Sequence, residues 1–540
     1  MHQKSKRQVA KAEKIAAWSK LDPAVFKKAG ISRKRATEFE SNFDGDMVWP
    51  WDAPYNQDRQ QADPAFNEFP VLIAYCKSYS DIAYCLGLAQ ENNLTVTCRS
   101  GGHSTAGYSV ITGTITIDMS RYFNYVNVDP VSRTAHVGAG TPFDTLDTKL
   151  EPYGLHVPGG ECSDVCVGGY SQGGGYGFTA RQYSINSDNI LEVTVMSMQA
   201  SGPQLIVANA NQNQDLYWAV RGGTGNNYGV LIDIKYQLYP VGVMWGFTLK
   251  WTNPTDILNA LQMIQNQYAL KAPPELGFQA VLMIQAGDSA PSFQLSGIYN
   301  GSASQGMSLI APLVRLGNPT YKTYTGLFRY LNDTILPEPN LPPNFNGIPP
   351  EVKESRYIST PIDANGWQQI VNYFFNQRPA WNVTNAVFFE YYGGRINQVP
   401  TYANAFVHRN SYMDIYVDSF WYNDTQKAAA ETWLDGYMTL INGYSNGEQY
   451  QNYPRRNTSG YQWAFWKNGI YTLAAVKAKY DPLGLLNFPM SAVLPKDKKD
   501  PVYTQVKRAD QKSLFPKRKI IADKSFEKLM KAKAENKQLK

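Results

Sequence analysis

The chain has 540 residues, 43% of them hydrophobic and 18% charged, which excludes a disordered polymer and leaves room for two or three domains with cores of their own. Its net charge of +6 hides an asymmetry: residues 1–40 hold 11 Lys/Arg against 4 Asp/Glu and residues 496–540 hold 15 against 6, so the remaining 455 carry −10. An acidic body argues against a nucleic-acid-binding core, and no window approaches about 18 uninterrupted apolar residues, so no membrane-spanning helix is expected.

Residues 1–45 read as a basic helical extension. Their start, MHQKSKRQVAKAEKIAAWSK, is positive but has no apolar stretch behind it, so a soluble, cytoplasmic protein is expected rather than an exported one. Residues 60–240 alternate short β-type runs (LTVTCRS, GTITIDMS, RTAHVGAG, ILEVTVMSMQA, GVLIDIKYQLY) with helical pieces, VLIAYCKSYSDIAYCLGLAQ and PFDTLDTKLEPY, punctuated by glycine clusters. Longer alternating strands follow over 241–449 (VMWGFTLKW, GFQAVLMIQAG, AVFFEYYGG, SYMDIYVDSFWY), with helices near 255–270 and 425–442 and a proline-rich surface loop, PEPNLPPNFNGIPP. Residues 450–495 return to the style of the first region, and 496–540 form a basic tail. The fold class is therefore α+β, with two domains.

Five cysteines (Cys76, Cys85, Cys98, Cys162 and Cys166) have no regular spacing and make no disulfide framework. Six Asn-X-Ser/Thr sequons begin at Asn93, Asn300, Asn332, Asn382, Asn423 and Asn457, a number that chance supplies in so Asn-rich a chain.

Chemistry concentrates in three glycine clusters. The first is Arg99-Ser100-Gly101-Gly102-His103-Ser104, closing a β-type run, where adjacent glycines let backbone N–H groups approach a phosphate or a planar ring. A loop histidine on an ordinary turn is the competing reading. The second runs from Pro158 to Gly177 with eight glycines in 20 residues and includes Cys162, Val165, Gly168, Gly169, Gly173, Gly174, Gly175 and Tyr176. The third, Asp215 to Gly225, contains Arg221-Gly222-Gly223. Three such loops, one with His and one with Cys, suit a large cofactor lying flat against backbone. None fits the phosphate-loop or dinucleotide fingerprint, and His103 and Cys162 lack the second ligand pair that zinc needs, so no metal is expected.

In order and spacing these clusters closely resemble the berberine bridge enzyme-like flavoproteins of the vanillyl-alcohol oxidase superfamily. The segment Ala474-Ala475-Val476-Lys477-Ala478-Lys479-Tyr480-Asp481-Pro482 resembles that family's C-terminal signature, and the resemblance runs from about residue 60 to 495. It implies a PCMH-type FAD-binding domain and a substrate domain built on an antiparallel sheet backed by helices. It also implies FAD attached twice, through His103 and Cys162, with the residues of the first two glycine clusters named above lining it. Val165 matches a gatekeeper position where valine goes with reaction with O2. Tyr450-Gln451-Asn452-Tyr453 resembles the YxNY motif, whose second tyrosine acts as base, so Tyr453 and Tyr450 are candidate catalytic residues. On the strand Tyr412-Met413-Asp414-Ile415-Tyr416, Asp414 and Tyr416 are the next candidates, sharing one face with Tyr412. With 36 tyrosines in the chain, packing is the competing reading for each.

The sequence departs from the family at Tyr170, where histidine is usual, at Met490, where glutamine is usual nearby, and at Pro454-Arg455-Arg456, which replace an acidic residue. His136 and His156 read as structural, Cys76, Cys85, Cys98 and Cys166 as small core residues, and His408-Arg409 as a surface or subunit contact or a pocket entrance. The expected activity is an oxidase passing a hydride from an alcohol or sugar substrate to FAD and on to O2, giving H2O2. The alternative is a flavoprotein with a decayed pocket whose basic ends dock on a polyanion. Because those ends lie outside the family resemblance, removing 1–40 and 500–540 is expected to spare flavin binding.

Overall fold

The computed structural model describes residues 6–337, 347–377 and 384–494. The basic tail and most of the proline-rich loop lie outside the described residues. Helices Lys6–Ala17, Pro23–Lys28 and Arg33–Asn42 form the start of the chain, the latter two with side-chain caps from Asp22 and Ser32. The helical reading agrees, but the reading of this segment as an addition outside the fold does not. Trp18, Phe26, Ala36 and Phe39 are buried in one cluster with Trp49, Leu72, Ile82 and Leu86. Apolar residues on one face of each short helix need a partner surface, and the first sheet with its helix supplies it.

That sheet has the strand order Asp46–Val48, Leu72–Tyr75, Ile115–Asp118, Val96–Arg99; the last three strands are parallel. Leu72–Tyr75 corrects the sequence reading, which placed residues 71–90 wholly in a helix. All four of its residues are buried, and a strand covered on both faces shows no alternation to betray it. The helix itself begins at Tyr79, after a capping box made by Ser78 and Asp81. A five-stranded antiparallel sheet follows, ordered Val126–Asp129, Thr134–Gly138, Val230–Gln237, Ile190–Gln199, Gly202–Asn209.

The second region is a seven-stranded antiparallel sheet, ordered Thr320–Gly326, Met244–Trp251, Ser292–Tyr299, Leu276–Ile284, Asn385–Tyr391, Met413–Phe420, Glu351–Ile358. On its helix-backed face Met413, Ile415 and Val417 join Val387, Phe389 and the helix residues Trp367, Trp433 and Leu434 in the main core. The alternate positions, Asp414, Tyr416 and Asp418, take the other face. The closing helix Gly469–Tyr480 returns to the first region, where Ile470, Leu473 and Val476 pack with Leu216, Tyr228 and Ile234. Lys477 is buried there, donating to the carbonyls of Asn227 (3.0 Å) and Leu486 (2.7 Å) and to Asp481 (2.9 Å). No helix among the described residues is long and apolar enough to cross a membrane.

Candidate functional site

The His103 turn is set by a buried ion pair. Arg99 lies directly across from Asp118 on the neighbouring strand and donates to its carboxylate, and also to the Gln60 carbonyl (3.2 Å) and the Tyr75 hydroxyl (3.4 Å). Its guanidinium is thus occupied by Asp118, Gln60 and Tyr75 and buttresses the turn. Gly102 has φ +83°, and a Cβ on Gly101 would sit 2.9 Å from Cys166 Sγ, so the turn closes only with glycine at both places. Cys166 is buried beneath it, donating to the Gly140 carbonyl at 3.3 Å. Ser104 Oγ accepts from the Tyr108 N–H (3.0 Å), and Ser100 Oγ occupies the space that a Cβ on Gly168 would need. His103 is half-buried, with Nε2 3.1 Å from Asp164 Oδ2, and so meets the loop that carries Cys162.

That loop is pinned by the helix Phe143–Leu150: the Phe143 N–H donates to the Val165 carbonyl (3.0 Å) and the Asp144 N–H to the Ser163 carbonyl (2.8 Å). Cys162 is exposed and Val165 half-buried, while Gly101 and Gly169 are exposed, with open space around Gly169. The remaining glycines also meet a packing need. A Cβ on Gly173 would lie 1.8 Å from Asn452 Oδ1 and one on Gly177 1.8 Å from the Gly159 carbonyl. Gly174 and Gly175, at φ +122° and +91°, press against Phe406 and Tyr170. At these four positions a Cβ would meet protein, so close packing of the chain on itself already requires glycine there. Tyr170 is the strut of this cluster, its hydroxyl donating to the Tyr176 carbonyl and its ring edge-on to Phe143. Tyr176 is buried, stacked on Tyr392 at 5.2 Å and donating to the Tyr391 carbonyl at 3.0 Å.

The spacing of Tyr450, Asn452 and Tyr453 has a direct cause. Tyr450 Oη accepts from the Gly175 N–H (2.8 Å), the Tyr176 N–H (3.2 Å) and Asn452 Nδ2 (3.0 Å), and Asn452 Nδ2 also donates to the Tyr170 carbonyl (2.9 Å). These two residues lock the segment to the glycine loop. Tyr453 is left to turn the other way, donating to Glu390 Oε1 at 2.6 Å with its ring 4.5 Å from that of Tyr416.

Glu390 belongs to a wall that only the strand register reveals. Across the sheet Gln279, Glu390, Asp414 and Tyr357 are successive partners, and two rows on along the same face, beyond Phe388 and Tyr416, so are Ala386, Asp418 and Lys353. Lys353 Nζ lies 3.3 Å from both Glu351 and Asp418 and 5.4 Å from the centroids of Tyr416 and Tyr453. Burial works against its charge, but Asp418 and Glu351 outweigh burial and hold the ammonium above its ordinary range. Burial, with the carboxylates of Asp414 and Glu161 adding to it, holds Glu390 well above the usual carboxylate range. Burial pushes Asp414 up to about 8 and Glu161 up to about 7. Glu390 Oε2, both Asp414 oxygens and both polar atoms of Gln279 are buried without a hydrogen-bond partner, so the wall offers itself to a ligand.

Asp414 gives the site a measurable pH signature. Between about 4, where an ordinary aspartate ionises, and 8 the folded state holds a proton that the unfolded chain has lost, so stability falls as pH rises, by up to about 1.4 kcal/mol per unit. Asp414→Asn removes this slope. The stabilities of the two proteins are expected to converge towards pH 4 and to separate towards pH 8 with the variant the more stable; parallel melting curves across that range contradict the assignment.

Sequence reasoning named Tyr450, Tyr453, Asp414 and Tyr416 and missed Gln279, Glu390, Lys353 and Glu161. Glu390 stands in the strand-like run AVFFEYYGG, but its inward direction follows only from strand phase. His408 and Arg409, read as a surface or entrance pair, are both buried. His408 lies between Glu448 (2.7 Å) and Gln451 (3.0 Å), stacked on Tyr357, and Arg409 makes a two-pronged contact with Asp188 at 2.7 and 2.8 Å. His156 is buried 2.8 Å from Thr179 Oγ1, whereas His136 is exposed on its strand. The departures from the family pattern also find partners: Arg455 pairs with Glu354 and Asp435, Arg456 with Glu68 at 2.7 Å, and Met490 is a core residue.

An exposed thiol, a half-buried imidazole and two exposed glycines on neighbouring loops, with Lys353 and Tyr416 of the aromatic and acidic wall close enough to Cys162 to interact with it electrostatically, fit a planar ring system with a substrate beside it. A family profile described as "FAD binding domain" matches residues 70–205. An FAD-linked oxidoreductase of Bacillus subtilis, YvdP, itself uncharacterised, is 26% identical over 455 residues, 83% of this chain and 97% of the relative. The carbohydrate oxidase of Microdochium nivale is 26% identical over 469 residues, 82% of this chain and 91% of the relative. The structure of Physcomitrella patens BBE-like 1 superposes with a TM-score of 0.76 at 25% identity, covering 85% of this chain and 99% of that one. The two-domain α+β architecture, the FAD-binding profile and these relatives together support a berberine bridge enzyme-like FAD-binding family for the chain.

Proposed function

We propose that the protein is an oxidase that takes a hydride from an alcohol carbon of a sugar or similar polyol, with Tyr453 as base and O2 as final acceptor, giving H2O2. The observation that carries this reading is the Tyr453–Glu390 hydrogen bond on a wall whose Lys353 and Tyr416 lie within electrostatic reach of Cys162. FAD, when bound, supplies the hydride acceptor; His103 and Cys162 are the residues that would attach it. Tyr453 takes the substrate hydroxyl proton as it passes its own to Glu390 Oε1, which must be ionised to receive it. Because burial first, and then the charge of Glu390, hold the Tyr453 phenol above its ordinary value, a free tyrosinate is disfavoured and the concerted exchange is the economical route. Activity is then expected to climb with pH as the elevated Glu390 ionises. Tyr450 and Asn452 position Tyr453. Gln279 and Asp414, with unpartnered polar atoms beside Glu390, are suited to holding further hydroxyl groups, and Tyr416 offers an aromatic face to a ring. The half-buried Val165 beside Cys162 supports O2 as acceptor by the family pattern.

A screen of sugars and alcohols under anaerobic conditions tests this. At least one is expected to bleach the flavin, with H2O2 formed when air is admitted. Acid precipitation should leave flavin on the protein, and His103→Ala or Cys162→Ala should each leave one attachment. No bleaching with any member of the screen favours the alternative of a decayed pocket docked on a polyanion. The ion pairs made by Arg455 and Arg456 and the core position of Met490 weaken that alternative, since both departures have structural partners.

A further inference from the structure

We propose that Asn332, which belongs to the second region, is a positioning residue for the Cys162 loop, so that the loop finds its working place only when the two regions are docked. The proposal rests on the reading that Cys162 carries a flavin attachment. Asn332 lies on the helix Phe328–Ile335 and is 5% exposed. Its Nδ2 donates to the Glu161 carbonyl at 2.9 Å and the Gly160 carbonyl at 3.5 Å, the two peptides that lead into Cys162. The far flank of the loop hangs on the helix Phe143–Leu150, through the backbone bonds to Ser163 and Val165. The Asn332 helix grips that helix too: Arg329 reaches Asp144 at 3.3 Å and, just beyond the helix, Glu151 at 3.4 Å. One helix of the second region thus holds both flanks of the cysteine loop.

The His103 turn is built differently. Apart from the His103–Asp164 contact with the cysteine loop, its supports, the Arg99 pair with Asp118 and the Ala62 N–H donating to the Gly102 carbonyl at 3.1 Å, come from the first region alone. Buried carbonyls robbed of a donor make a loop shift towards water. Attachment at Cys162 exchanges a thiol S–H and a ring C–H for one S–C bond, the two protons and two electrons passing to O2 as H2O2. That exchange needs the sulfur held against the ring, and small displacements at a reacting atom are costly in rate. Attachment at Cys162 therefore depends on Asn332, and attachment at His103 does not.

The test uses the full chain carrying its flavin, with Asn332→Ala and the isosteric Asn332→Asp, which keeps the shape but loses the donor. Peptide mass mapping reads flavin on the His103 and Cys162 peptides, and hydrogen exchange reads residues 158–166. The expected result is His103 attachment at the wild-type level, Cys162 attachment reduced to a minor species, and exchange over 158–166 about tenfold faster. Thr334→Ala, on the same helix with its hydroxyl donating to the Tyr330 carbonyl, should change neither. Unchanged exchange and unchanged Cys162 attachment overturn the proposal, as does faster exchange spread evenly over the whole second region. If wild-type Cys162 carries no flavin, the two-attachment reading fails on its own, and the exchange data alone decide whether Asn332 holds the loop. Should Asn332→Ala not fold, Asn332→Asp carries the test.

Discussion

Tyr453→Phe is expected to slow flavin reduction by the substrate by roughly 10²–10⁴-fold while leaving flavin content close to wild type and costing about 1–3 kcal/mol of stability, since Glu390 Oε1 loses its donor. The side chain is the member of the Tyr450–Tyr453 segment that does not anchor the glycine loop: its hydroxyl meets Glu390 and its ring lies against Tyr416. Losing the hydroxyl removes the proton acceptor without opening a cavity. Tyr450→Phe is the contrasting case, because its oxygen satisfies the Gly175 and Tyr176 N–H groups. Stranding two buried amides should cost about 1–3 kcal/mol each before relaxation, so that variant should lose more stability, as well as rate. Glu390→Gln keeps the shape of the pair and removes the base beneath it; its rate loss should not add to that of Tyr453→Phe, since the two act on one proton. Equal stopped-flow reduction rates for wild type and Tyr453→Phe would remove Tyr453 from the chemistry.

Trp18→Ala is expected to destabilise the whole protein by about 3–5 kcal/mol, and deletion of residues 6–43 to prevent its accumulation in folded form. Trp18 is 2% exposed and edge-on to Phe26, Trp49 and Trp51 at 5.6 to 6.2 Å. Lys14 ties the same segment down, lying 2.9 Å from both Glu40 and Asp52, and Glu40 accepts from Trp49 Nε1 at 3.0 Å. This packing argues against the expectation that the N-terminal segment can be removed with the flavin site intact. It also changes the meaning of the basic start, since Lys14 serves an internal ion pair. Denaturant titration of Trp18→Ala against wild type measures the effect; coincident midpoints would mean that the helices contribute nothing to the core.

The sequence was most legible where chemistry and backbone demand coincide. His103 and Cys162 stand among glycines that a chain uses only where backbone must come close to something, and they do sit on neighbouring loops. What those glycines approach was less legible: Gly173 and Gly177 meet Asn452 and Gly159, contacts between segments far apart in the chain or folded back on themselves. The wall was harder still. Glu390, Gln279 and Lys353 come from three strands whose alignment is set by register, and nothing local marks a glutamate as the partner of a tyrosine 63 positions on. The N-terminal helices misled because their lysines dominate the composition, while Trp18, Phe26 and Phe39, spaced over several turns, carry the packing.

The donor atom of Asn332 has one more consequence. Asn332-Asp333-Thr334 is a glycosylation sequon, and the nitrogen to which a glycan would be joined is the one that donates to Glu161. Modification there and the native loop exclude each other. Asn93, Asn423 and Asn457, by contrast, head sequons on exposed turns or ends of elements. A host that glycosylates nascent chains would divide the product between molecules that dock this helix and molecules that cannot, so the choice of expression host decides how uniform a preparation is.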